Sequence, residues 1–220
     1  MKKWLHDNGL ILANGALFVA FLVGMTITGW HVASADAVRH GAEPEPFAEY
    51  LTSGDFYEAV FENWESEFLQ MGSYIVLTVF LFQRGSEESK PLDAPAPQDE
   101  DPRAHKSDSR APWPVRRGGF PLLVYENSLV LLFLALFLGS FAAHAASGAA
   151  AYSEVLAEHG QEPVGAIGYL GTAQFWFESL QNWQSEFMVV AVVIAAGIYL
   201  RQRGSSESKP VHAPHRETGA

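Results

Sequence analysis

Asn63-Trp64-Glu65-Ser66-Glu67-Phe68, an apolar run to Phe82, and Gln83-Arg84-Gly85-Ser86-Glu87-Glu88-Ser89-Lys90-Pro91 form a stretch that the chain contains twice. It recurs as Asn182-Trp183-Gln184-Ser185-Glu186-Phe187, an apolar run to Leu200, and Gln202-Arg203-Gly204-Ser205-Ser206-Glu207-Ser208-Lys209-Pro210, at a constant offset of 119 residues. Working outward at that offset, His40-Gly41 meets His159-Gly160, Glu43-Pro44 meets Glu162-Pro163, Tyr50-Leu51 meets Tyr169-Leu170, and Asn8 meets Asn127. One unit is used twice, so every assignment has to fit both copies.

The charge is segregated. Formal net charge is −11, yet only 18% of the 220 residues are charged and 48% are apolar. Long apolar segments separated by acidic and mixed-charge ones are the pattern of a membrane protein. The absence of cysteine excludes disulfides, thiolate metal sites, thioether-linked haem and a cysteine nucleophile.

Four spans are expected. Leu10 to Trp30 is long enough to cross about 30 Å of hydrocarbon as a helix, and Pro121 to Ala146 is its counterpart. Ala33-Ser34-Ala35 resembles a signal-peptidase site, but the apolar stretch is too long for a signal peptide and its twin lies mid-chain. Phe68 to Phe82 is too short alone. A helix from Phe56 to Arg84, with Asp55 as N-cap and Gly85 as its stop, supplies the length, and Phe175 to Arg203 repeats it. Short helices are expected around Val32 to His40 and Phe47 to Leu51, with Gly41 and Gly160 as helix stops.

Lys2, Lys3, Arg84, Lys90, Arg103, Lys106, Arg110, Arg116, Arg117, Arg201, Arg203, Lys209 and Arg216 all fall on one side of this scheme, and Arg39 alone falls on the other. By the positive-inside rule both termini and the central linker are cytoplasmic. The expectation is an all-α integral membrane protein with four transmembrane helices, a tandem parallel repeat of two-helix hairpins. Its segments are a first two-span repeat (1–84), a flexible cytoplasmic linker (85–119), a second two-span repeat (120–203) and a cytoplasmic tail (204–220).

Small residues every fourth position, Ala16, Ala20, Gly24 and Thr28 on the first span and Ala135, Gly139, Ala143 and Ser147 on the third, suit close helix-to-helix packing seams. Asn63 and Glu67, like Asn182 and Glu186, share a helix face. Carboxylates at membrane depth are candidate proton or cation sites. Each glutamate precedes an arginine (Arg84 or Arg203) by 17 residues, about 25 Å of rise, which also suits an outer-interface anchor beside Trp64 and Trp183. Continuing inward, Gln70, Tyr74 and Thr78 form a polar path in the first copy, whereas the second has Val189, Val193 and Gly197.

Nothing points to catalysis. His31 and His144 are offset by about 9 Å in depth, which argues against paired axial haem ligands. His40 with Glu43, and His159 with Glu162, each offer too few ligands for a metal. Phosphate loops, nucleophile elbows and metalloprotease motifs do not occur, and the acidic balance gives no support for nucleic-acid binding. No catalytic residue, metal or cofactor is expected.

Asp7-Asn8-Gly9, Thr28-Gly29-Trp30, Asn63 to Gln70, Gln83 to Lys90 and the repeats Phe175 to Ser179 and Asn182 to Phe187 together resemble an uncharacterised family of small bacterial membrane proteins known as a domain of unknown function. The resemblance covers nearly all of the chain except the linker and tail. It implies a bacterial cytoplasmic (inner) membrane location and brings no activity or cofactor. The functional expectation is a non-enzymatic structural, stress-related or accessory component. The alternative is a small cation or proton channel or transporter with carboxylates at its outer mouth. Expected partners are the lipid bilayer and either a second copy or an unidentified membrane protein.

Overall fold

The computed structural model describes residues 2–219, and among them all regular structure is helical. In order these are α1 (Lys2–Asp7), α2 (Gly9–Arg39), α3 (Phe47–Tyr50), α4 (Gly54–Phe80), α5 (Trp113–Arg117), α6 (Gly119–Glu126), α7 (Ser128–Glu158), α8 (Ala166–Tyr169) and α9 (Ala173–Tyr199). The bounds of α2 and α7, α3 and α8, and α4 and α9 coincide at the 119-residue offset. The segment between α4 and α5 is built from turns, with 3-10 helices at Pro97–Asp99 and Pro102–His105.

Three of these helices are long and apolar enough to cross a membrane: α2, α7 and α9. Four were expected, and α4 is not among those that length and composition qualify. The helix that falls short is α4, because Glu58, Glu62, Glu65 and Glu67 occupy its first half and its apolar run begins only at Phe68.

Helix ends also differ from expectation. The first span runs on from Trp30 to Arg39, absorbing the separate helix expected at Val32 to His40. The third is broken by Asn127, so that α6 precedes α7. Asn127 turns its side-chain amide back onto the Leu123 carbonyl (2.8 Å), as Asn8 does onto Trp4 (2.8 Å). At the start of α4 the cap is Ser53 and not Asp55: the Phe56 N–H donates to Ser53 Oγ at 3.2 Å. The helix stops at Phe80, not Arg84, because loop side chains take over the terminal backbone groups. Lys90 Nζ donates to the Val79 carbonyl (3.0 Å), and the Gln83 N–H donates to Ser89 Oγ (3.0 Å). At the end of α9, Arg201 donates to the carbonyls of Gly197, Ile198 and Leu200.

The stops of α2 and α7 are as expected. Gly41 (φ +81°) and Gly160 (φ +68°) occupy C′ of matching Schellman motifs, closed by Ala42 N–H to Ala37 O and by Gln161 N–H to Leu156 O, both 2.9 Å.

The chain divides into two compact units, residues 1–61 with 143–172 and residues 62–142 with 173–220. In the first, each outer segment folds back on its long helix by the same device. Ser34 Oγ donates to the Glu45 carbonyl (3.2 Å) and Ser153 Oγ to the Val164 carbonyl (3.1 Å), while Tyr50 lies on Gly29 and Tyr169 on Gly148. Gly54 brings the start of α4 against the α7 backbone: a Cβ there would stand 2.7 Å from the Ala151 nitrogen. In the second unit, α7 and α9 carry edge-to-face aromatic contacts, Phe141 on Phe175 at 5.2 Å and Phe137 on Trp183 at 6.4 Å.

Candidate functional site

The first unit buries ionisable side chains. Tyr169 and His144 are fully buried, and Glu58 is half-buried. Tyr169 Oη donates to Glu58 Oε1 at 3.0 Å, and a Glu58 oxygen lies within 4.8 Å of a His144 ring nitrogen. Helical spacing brings them together. His144 and Gly148 are one turn apart on the same face of α7, and the bare backbone at Gly148 makes room for both partners. A Cβ there would stand 2.5 Å from Tyr169 Cε1 and 2.7 Å from Glu58 Oε1. Tyr152, one turn further on, packs against the Tyr169 ring at 5.5 Å. A carboxylate, an imidazole and a phenol are thus collected where water is scarce. Such a set has the chemistry to exchange or bind a proton or a cation, because each group can carry charge only when a neighbour compensates it.

In the second unit, carboxylates of α4 are met by α9. Glu65, fully buried, accepts from Trp183 Nε1 at 3.0 Å, and Glu62 accepts from Asn182 Nδ2 at 3.4 Å. Asn182 also donates to the Glu178 carbonyl (3.2 Å), and the buried Glu178 carboxylate accepts from Gln174 at 2.6 Å.

Asn63 and Glu67 are exposed and Glu186 is half-buried. Along the candidate path Gln70 is buried. Tyr74 donates to Glu88 Oε2 at 3.1 Å, and Thr78 turns its hydroxyl back onto the Ile75 carbonyl (2.8 Å). Ala16, Ala20, Gly24 and Thr28 are exposed, as are Ala135 and Gly139, while Ala143 and Ser147 are half-buried. Nothing lies within 4 Å of a Cβ built at Gly24 or Gly139. His31, His40, Glu43, His159 and Glu162 are all exposed.

Sequence reasoning passed over Glu58, Glu65 and Tyr169. At the repeat offset Glu58 meets Phe177, Glu65 meets Gln184 and His144 meets Met25, so a search for residues shared by both copies skips Glu58 and Glu65, whereas Tyr169 is shared with Tyr50 and gains its role only from Glu58 beside it. Titratable residues at unshared positions of the long helices were the signal available.

Outside the spans, burial raises the Glu45 carboxyl above its ordinary range, helped by Asp55, Glu154 and Glu49. Burial lowers the Lys209 ammonium, and so does Arg201, with Glu217 and Glu87 opposing. The second unit also holds an apolar cavity of about 440 Å³ between α4, α7 and α9, bounded by Phe68, Gly72, Phe133, Phe137 and Phe187.

No curated protein and no solved structure matches the chain. One family model does, described as domain of unknown function DUF6766, and it matches residues 1–220. The chain therefore belongs to the DUF6766 family along its whole length.

Proposed function

We propose that this chain is a non-enzymatic protein of the bacterial cytoplasmic membrane that takes up and releases a proton or cation at Glu58, Tyr169 and His144. The observation that carries the reading is the Tyr169–Glu58 hydrogen bond beside fully buried His144 on a helix apolar enough to cross a bilayer. An ionisable side chain within a span costs about 2.5–3.5 kcal/mol at its centre, so a buried group of this kind is kept for a use.

In this reading the two halves are tandem copies that cross the bilayer in the same sense, with both termini and residues 85–119 in the cytoplasm. The carboxylates that disqualify α4 by composition are met by α9 through Trp183 and Asn182, which lowers the cost of carrying them across as a fourth span. Glu67 and Glu186 stand at the outer mouth, where acidic residues concentrate cations, and Gln70, Tyr74 and Thr78 line the way inward.

The test is proton flux into liposomes holding a pH-sensitive dye, under an imposed potential. Flux above protein-free liposomes, reduced at least tenfold by Glu58→Gln and by His144→Gln, is expected. Flux equal to protein-free liposomes, or unchanged in both variants, overturns the proposal.

A second reading, a structural or accessory component, is favoured by α2. This 31-residue apolar helix has no buried residue, and its small-residue face is open to a helix of a second copy or of another membrane protein. Cross-linking through single cysteines at Ala20 and Gly24 tests it. Capture of a neighbouring helix supports it, and labelling by lipid-borne reagents alone counts against it.

A further inference from the structure

The loop Gln-Arg-Gly-Ser-x-x-Ser-Lys-Pro that follows α4 and α9 folds the same way twice. The Gln83 N–H donates to Ser89 Oγ (3.0 Å), as Gln202 does to Ser208 (2.9 Å). The Glu88 N–H donates to Ser86 Oγ (3.2 Å), as Glu207 does to Ser205 (3.1 Å). The glycines stand at φ +82° and +85°, a region in which a side chain would be strained.

What lies on the two loops is different. The first is covered by the chain's own C-terminal tail. The Gly85 N–H donates to Thr218 Oγ1 at 2.7 Å, and the Gly219 N–H donates to the Ser86 carbonyl at 3.0 Å. Lys209 fastens the arrangement. Its buried ammonium donates to Gly85 O at 2.6 Å and to the carbonyls of Pro214, His215 and Glu217 at 3.3, 3.1 and 3.0 Å. A Cβ on Gly85 would stand 2.5 Å from the His215 carbonyl oxygen, and Gly85, Ser86 and Ser89 are all buried. The second loop is open. Gly204 is exposed, with nothing within 4 Å of a Cβ built on it. Beside it is a cavity of about 540 Å³ bounded by Arg203, Gly204, Ser205, Ser208, Lys209 and His212.

We propose that the second loop binds an extended segment of a partner polypeptide carrying Thr or Ser followed by Gly. The first loop shows the recognition chemistry. The glycine N–H donates to a side-chain hydroxyl oxygen, and the next residue's carbonyl accepts from the following peptide N–H, a two-point contact that fixes direction and register. The glycine is needed because any Cβ would close the approach. Arg203 and His212 favour an acidic residue before the hydroxyl, the place Glu217 takes before Thr218 in the tail.

The probe is a synthetic peptide of residues 214–219, Pro-His-Arg-Glu-Thr-Gly, bearing a fluorophore and a photoreactive group. It is titrated against the full chain in detergent, where the tail already fills the first loop. Saturable binding of one peptide per chain is expected, with photo-adducts within residues 202–212. Replacing the peptide's Thr by Val removes the hydroxyl and keeps the shape, so affinity falls about fivefold or more. Gly204→Val abolishes binding. Because that variant could also disturb the loop, the Val peptide decides. Equal affinity for the two peptides, absence of saturation up to millimolar peptide, or adducts confined to residues 83–91 each overturns the proposal.

Discussion

Adding one methyl group at Gly148 tests whether the Glu58–Tyr169 contact is as close as described. In Gly148→Ala the new carbon would stand 2.5 and 2.9 Å from Tyr169 Cε1 and Cζ and 2.7 Å from Glu58 Oε1. Comfortable carbon contacts lie at about 3.5–4.0 Å, so the two Tyr169 carbons must give way by about 0.6–1.5 Å, and the Glu58 oxygen must shift as well. Neither neighbour can do so cheaply, because Tyr169 is fully buried and its hydroxyl is tied to Glu58 at 3.0 Å. Overpacking of this kind costs about 1–3 kcal/mol, and weakening the hydrogen bond adds about 1 kcal/mol. The better helix propensity of alanine returns about 0.5–1 kcal/mol. The net expectation is a loss of about 1–3 kcal/mol. Gly139→Ala, on the same helix with nothing within 4 Å, supplies the control and should be neutral or stabilising by up to about 1 kcal/mol. Thermal unfolding in detergent, followed by circular dichroism, should therefore move in opposite directions for two chemically identical changes. In a Tyr169→Leu background the Gly148→Ala penalty should fall by at least half. A Gly148→Ala protein that melts at or above wild type would refute the reasoning.

Three further outcomes follow from other contacts. Trp183→Phe removes the Nε1 donor from buried Glu65 and should cost about 1–3 kcal/mol, while Glu65→Gln, which copies the residue at the equivalent position 184, should cost less; urea titration in mild detergent measures both. Ser153→Ala deletes the hydroxyl that donates to the Val164 carbonyl and accepts from its N–H (3.1 and 3.0 Å), so amide exchange in residues 160–166 should speed up while residues 41–47 stay unchanged. Glu45 has its carboxyl raised in the fold, so the folded state holds that proton more tightly than the unfolded chain. Its contribution is full below the ordinary value near 4.5 and is lost as pH rises through the raised value. The melting temperature should accordingly fall from pH 5 to pH 7, less steeply in Glu45→Gln.

Much of the fold is legible in the sequence, and the reasons are local. His40-Gly41 and His159-Gly160 announce their helix stops because only glycine sits comfortably at positive φ, and the apolar lengths of α2 and α7 follow from composition. The ends of α4 and α9 were not legible. Lys90, Ser89, Arg201 and Ser208 reach back from the loops to end those helices, a competition that helix propensity alone does not contain. The ionisable cluster was hidden for a different reason. Repetition draws attention to what both copies share, such as Asn63 with Asn182 and Glu67 with Glu186. Packing selects Glu58, Glu65 and His144, which correspond to Phe177, Gln184 and Met25 in the other copy. Gly148 was equally silent, since its role depends on Tyr169 arriving from 21 residues further along the chain.

Cysteine accessibility in intact cells tests the bilayer crossing most directly, and the cysteine-free chain needs no background substitutions. Single cysteines at Ala42, Ser107, Gln161 and Ala213 sit in the segments after α2, α4, α7 and α9. If all four helices cross in alternation, a membrane-impermeant thiol reagent labels positions 42 and 161 in intact cells, and positions 107 and 213 only after permeabilisation. Labelling of 42 and 107 on the same side would show that α4 does not cross, and would contradict the account.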